Sequence, residues 1–342
     1  SEHRGYIGWH STSKSFAFYT SLECAQDPAS ETHTPWLNPL STRMARYLER
    51  AESIARVTNT FSHLMMDLPI GTELTWRTLL EIFEADKDFR KQEIAYGEIS
   101  TLEYMIARPE NMSSIFYSVK AARENARTTR DVLPEEVWES VNELYVYSKE
   151  FAHKSIDRRN RFNFLTNIVK RCHALNGLLM TSQIRDHTYR FIKLGHLLER
   201  IDITTRVVGT VYSAVESRDV KNRAFDSLIW AGLLESLSAI GNYRRSIGPM
   251  AEPHAAINFV FLQSRLPRSL VFCFSGIRKS LTCLNGHEKV IEPIDEALVM
   301  LDSFNAEKMS PKMMKIFVQD LQICAERLSL GATSMWFSSS SS

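Results

Sequence analysis

A chain of 342 residues that is 44% hydrophobic and 24% charged can bury a sizeable core without disulfides or metals, as one large domain or two closely joined ones. Its 41 basic and 40 acidic side chains leave a net charge of +1, so the electrostatic excess that drives nucleic-acid or anionic-membrane binding is absent and neither partner is expected. Five cysteines without a Cys-x-x-Cys pair argue against a disulfide framework or a thiolate zinc site and for a reducing cytoplasm, and no apolar run approaches the ~20 residues of a membrane span.

Residues 1–43 are rich in Ser, Thr, His and aromatics and are interrupted by Pro28, Pro35 and Pro39, so they read as irregular or disordered. The first residue is Ser1 and no signal-peptide pattern follows, which suggests a fragment or a misassigned start. From residue 44 apolar residues recur at helical spacing, and no period-two run bounded by turn signals appears. The expected fold is therefore all-α, a multi-helix bundle with helices over 41–67, 73–90, 94–107, 113–131, 135–155, 161–181, 186–216, 222–247, 254–264, 268–284, 289–304 and 311–330. Pro69, Pro109 and Pro134 punctuate it at helix ends and starts. Residues 332–342 close the chain as a Ser-rich tail.

The chain resembles itself. Leu48 to Val57 (LERAESIARV) aligns without gaps on Leu198 to Val207 (LERIDITTRV), so that Glu199 falls 150 residues after Glu49. Trp76 to Leu80 matches Trp230 to Leu234, and Tyr104 to Ile115 matches Phe259 to Leu270 more loosely. Two tandem pseudo-repeats follow, about 44–131 and 194–285, each opening with a Leu-Glu-Arg helix. Helices over 135–181 would link them, and helices over 289–330 would form a C-terminal extension.

On a helical wheel the first Leu-Glu-Arg helix places Leu48, Ala51, Ile54, Ala55, Thr58, Phe61 and Met65 on an arc of roughly 140°, the expected buried face. Glu49, Glu52 and Arg56 gather on the opposite side, and Arg50 falls at the edge of the apolar arc. Glu199, Arg200, Asp202 and Arg206 repeat the arrangement in the second copy. A guanidinium keeps its charge, so a buried Arg50 or Arg200 must meet an anion. Two accounts follow: an internal ion-pair network in which acids of one copy meet arginines of the other, or a groove whose arginines hold a phosphate or carboxylate.

Other residues are weaker candidates. Arg123, Glu124, Arg127 and Arg130 read first as a solvated charged face, and Arg268 as a cation at a helix start that could attract an anion. Glu150 and His153 have the Glu-x-x-His spacing of di-metal bundles but no second copy. Cys172 and His173 are adjacent and point about 100° apart on a helix, and His187 and His196, nine residues apart, point to nearly opposite sides. Neither catalytic residues nor a metal or cofactor site is expected, since no phosphate loop, nucleophile elbow or zinc motif occurs.

The stretches MARYLERAESIARV, SSIFYSVKAARENARTTRDVLPEEVWESVNELY, GHLLERIDITTRVV and NFVFLQSRLPRSL, within residues 44–331, resemble the bacterial alpha-E domain, an all-helical family of unknown function with a Glu-Arg motif. The resemblance draws attention to Glu49, Arg50, Glu199 and Arg200, to Ala122 to Arg127 and to Pro267 to Ser269. It implies partners, because such domains accompany circularly permuted ATP-grasp proteins and transglutaminase-like peptidases. The expected function is thus a non-catalytic accessory to an ATP-grasp amide ligase; the alternatives are an enzyme or binding protein with a Glu/Arg-lined groove for an anionic peptide-like ligand, and a helical scaffold.

Overall fold

A computed structural model of the protein describes residues 37–69, 72, 74–216 and 225–337, so the expected irregular segment up to residue 36 and the end of the Ser-rich tail lie outside the described residues. Among the described residues there are fourteen α-helices and no strand: α1 (Leu37–Asp67), α2 (Trp76–Ile82), α3 (Asp86–Arg90), α4 (Glu98–Ile106), α5 (Ile115–Thr128), α6 (Glu135–Phe151), α7 (Arg158–Ser182), α8 (His187–Glu216), α9 (Asp226–Ser236), α10 (Ile240–Ser246), α11 (Pro253–Leu262), α12 (Leu270–Leu281), α13 (Glu288–Asp302) and α14 (Pro311–Trp336). None is long and apolar enough to cross a membrane. Two differences from expectation lie at the ends. Helix α1 begins at Leu37 rather than after residue 40, because Pro39 sits in a first turn, where its missing amide proton costs nothing. Helix α14 runs to Trp336, into the expected tail.

The two longest helices, α1 and α8, pack against each other at the centre. Helices α5 and α7 cover α1, while α12 and α14 cover α8. Leu48, Ala51, Ile54 and Ala55 are fully buried from α1, as are Ile201 and Val208 from α8. Gly195 sets how closely the central pair approaches: a Cβ there would stand 2.4 Å from the Thr42 carbonyl oxygen. Only glycine permits that contact.

The order of helices recurs from one half to the other, α1 to α7 matching α8 to α14, at a separation of about 150 residues that local details support. Just past the end of α2 stands Glu84 with φ 54°, and just past the end of α9 stands Ser238 with φ 56°. In both, the next amide reaches back five residues, Ala85 to the Leu80 carbonyl and Ala239 to the Leu234 carbonyl, and so ends the helix with a left-handed residue. These two stops divide the single helices expected over 73–90 and 222–247. The Ser114 hydroxyl caps α5 by accepting from Tyr117 N and donating to the Arg108 carbonyl; Ser269 caps α12 by accepting from Phe272 N and donating to the Gln263 carbonyl. Phe89 meets Tyr104 edge-on at 5.1 Å and Tyr243 meets Phe259 edge-on at 5.5 Å. The correspondence takes in α6 with α13 and α7 with α14, which the sequence reading had set apart as linker and extension.

Candidate functional site: two charge clusters at the central helix pair

Because α5, α7 and α8 pack around α1, the face that carries Glu49 and Glu52 is buried rather than solvated, and both carboxylates are wholly removed from water. Each is surrounded by basic side chains. Glu49 receives Arg200 of α8, with Nε 3.0 Å from Oε1 and an amino group 3.1 Å from Oε2. Arg268, from the turn before α12, reaches Glu49 at 2.8 Å and Glu52 at 2.7 Å and so bridges the two acids. Arg56 adds 2.6 Å to Glu52, His173 of α7 adds 3.0 Å, and His196 of α8 lies 3.3 Å from Glu49. Burial pushes Glu49 and Glu52 up, but the guanidiniums of Arg268 and, for Glu49, Arg200 outweigh it, holding Glu49 well below the usual carboxylate range and Glu52 at about 2.

The second cluster mirrors the first. Glu199, also wholly buried, receives Arg50 at 2.5 Å and 3.1 Å and Arg46 at 3.1 Å. The two motifs therefore exchange partners, Glu49 with Arg200 and Glu199 with Arg50. Flanking residues follow the same operation, since His196 beside Glu49 lies 150 positions after Arg46 beside Glu199. Asp202 binds Arg206 at 2.7 Å, and Arg206 also meets Glu84 at 3.0 Å. Burial raises Asp202, with Arg206 opposing it and Glu199 adding to the rise. Burial would lower Arg50 and Arg200, yet their glutamates hold both above the usual guanidinium value.

The Arg268 bridge has no equivalent. The position matching Arg268 is Ser113, whose hydroxyl turns away to the Phe83 carbonyl at 3.0 Å, so no arginine bridges Glu199 and Asp202. A groove of about 650 Å³ opens there, lined by Arg46, Arg50, Asp202, Arg206 and the outer flank of α14.

The other candidates stay apart. Arg123 faces α6, donating to Asn142 at 2.7 Å and stacking 4.8 Å over Tyr145, while Glu124 and Arg127 pair at 3.0 Å near the surface. Arg268, expected as a cation at a helix start that could attract an anion, stands just before the cap of α12, is buried, and meets the carboxylates of Glu49 and Glu52. Glu150 pairs with Lys154 at 3.7 Å, and no group of three metal-ligating side chains occurs among the described residues. Cys172 and Cys273 are buried free thiols that burial pushes up, Cys273 to about 12, so neither is poised as a nucleophile. Sequence reasoning passed over Arg46, His173 and His196 as members of the clusters. The first and last each lie four residues before a motif arginine on the same helix face, a signal that was there to be used; His173 comes from a separate helix and carries none.

Fold and site together define an all-helical protein in which two central helices are pinned by a reciprocal, buried Glu-Arg exchange. Residues 44–337 match the family model Alpha-E, described as a predicted alpha-helical domain with a conserved ER motif, and the chain belongs to that family. No curated protein and no solved structure matches it.

Proposed function

We propose that the protein is a duplicated helical unit acting as a non-catalytic accessory in peptide synthesis or modification, with an ATP-grasp amide ligase as partner and a transglutaminase-like peptidase as a second associate, in the cytoplasm. The partner class rests on the family resemblance. The non-catalytic assignment rests on the exchange of Glu49 with Arg200 and Glu199 with Arg50, which occupies the motif's charged groups inside the molecule. A general acid or base works best with a pKa near the operating pH, and Glu49 and Glu52 are held far below that. The motif thus serves to fix how the two halves dock.

The test is affinity capture of the tagged protein from its native host. Stoichiometric recovery of an ATP-grasp ligase is the expected result. Turnover by the isolated protein that disappears in Glu49→Gln and Glu199→Gln variants which still fold would overturn the non-catalytic assignment.

A further inference from the structure

We infer that two copies of this chain associate through the outward face of α14, the two helices lying antiparallel across a two-fold axis at Ile323. This goes beyond the accessory reading and does not depend on it. Helix α14 has two apolar faces. Met314, Val318, Leu321, Leu328 and Ala332 are buried where it packs on α8 and α13. On the opposite side Ile316, Ile323 and Leu330, each seven residues from the next, stay 47, 51 and 62% exposed. That spacing keeps them within ~20° of one line along the helix, as a stripe ~21 Å long that faces solvent. The fold of a single chain does not call for it. Counted from the capping residues Asp157 of α7 and Ser310 of α14, the matching positions of α7 hold Asn163, Lys170 and Gly177, all exposed.

A second copy is the partner because this face is complementary to itself when reversed. A two-fold axis perpendicular to α14 at Ile323 brings together residues equally far before and after that position, each meeting on the same flank. Ile323 then packs on its own counterpart, and Ile316, seven residues before it, meets Leu330, seven after. The charges obey the same rule. Asp320 and Arg327 lie on one flank, about 60° and 40° from the line of the stripe and three residues before and four after Ile323, so each Asp320 stands opposite Arg327 of the second copy. Gln319 and Glu326 lie on the other flank, four before and three after, and meet amide to carboxylate. A parallel pairing would set Asp320 against Asp320 and Arg327 against Arg327, so charge selects the antiparallel arrangement. Asp320 is exposed and forms no ion pair among the described residues. Arg327, 43% exposed, meets Glu292 and Glu296 of α13 and keeps further N–H donors for a third carboxylate. One helix face per copy is at the small end of specific interfaces, which sets the expected dissociation constant near ~10 µM.

Sedimentation velocity of the full chain, over a concentration series from about 1 to 200 µM, measures the association. The expected result is a shift from monomer to dimer across that series. Ile323→Asp, at an exposed position, should weaken the dimer by about tenfold or more while the circular dichroism spectrum stays that of the parent. Asp320→Lys and Arg327→Glu should each weaken it severalfold, because each sets like charges face to face. An equimolar mixture of those two variants should recover most of the parent's affinity, since each then meets opposite charge in the other. Ile323→Asp and Asp320→Lys keep the test decisive should Arg327→Glu, which also faces Glu296, fail to fold. Val146→Asp, at a position 54% exposed on α6, should leave association unchanged. A chain that stays monomeric throughout the series, or a dimer as tight in Ile323→Asp as in the parent, would overturn the proposal. A mixture of folded Asp320→Lys and Arg327→Glu no tighter than either variant alone would refute the antiparallel pairing.

Discussion

Replacing Arg268 with methionine tests the buried network most directly. Its side chain is 8% exposed, and its guanidinium contacts two carboxylates that are wholly buried, at 2.8 and 2.7 Å. Methionine preserves much of the side-chain volume, so the change is mainly electrostatic. Removing one partner of a buried ion pair costs about 3 to 5 kcal/mol, because the charge left behind has already been taken from water. Glu49 keeps Arg200, and Glu52 keeps Arg56 and His173, which sets the expected loss near the lower end, about 3 kcal/mol. Urea unfolding at pH 7 measures it as a fall in the midpoint with little change in slope. The control Arg127→Met, at a residue 61% exposed, should shift stability by less than about 0.5 kcal/mol. Adding Glu52→Gln to Arg268→Met removes the stranded charge and should recover part of the loss. A variant Arg268→Met as stable as the parent, or a double variant no better than the single one, would refute the account of the cluster as a balanced ion network.

Two further outcomes follow from the same geometry. Glu49 and Glu52 bind protons more weakly folded than unfolded, so their stabilisation is present above pH ~4.5 and is lost as pH falls toward ~2. The shift of Glu52 alone corresponds to about 3 kcal/mol, and urea midpoints flat from pH 7 to pH 3 would contradict it. Gly195→Ala forces the central helices apart at the Thr42 carbonyl and should cost about 1 to 3 kcal/mol, whereas Gly177→Ala, where an added Cβ meets nothing within 4 Å, should gain up to about 1 kcal/mol; thermal unfolding of both variants compares them.

The all-helical class was legible because apolar residues keep a 3.6 period through nearly every segment, and the Leu-Glu-Arg pair stood out because the two decapeptides align without gaps. The breaks after α2 and α9 were not legible. Their left-handed positions are filled by Glu84 and Ser238 instead of glycine, so composition gives no stop signal. The burial of Glu49 and Glu52 was missed for a different reason. A wheel assumes one apolar and one wet face, but α1 lies between α5, α7 and α8, and its polar face is dry because ion partners arrive from α7, α8 and the turn before α12. Those partners lie 121 to 219 residues away in sequence, beyond what local spacing reveals.

A dipeptide of opposite charges suits a contact between two like helices. On each helix the glutamate and the arginine diverge by about 100°, so the acid of one helix meets the base of the other twice over, with the same two residues serving both sides. A single apolar pair could stabilise such a crossing as well, since buried ion pairs often gain little over hydrophobic replacements. Charge adds a requirement of register: a slip of one residue would set Glu49 against Glu199. Once register is fixed in this way, the two clusters need not stay alike. Arg268 closes the one around Glu49 and Glu52, while Ser113 leaves the one around Glu199 and Asp202 open. The cluster around Glu49 and Glu52 thus takes a cation from a third element, whereas the one around Glu199 and Asp202 draws Arg46, Arg50 and Arg206 from the central pair itself.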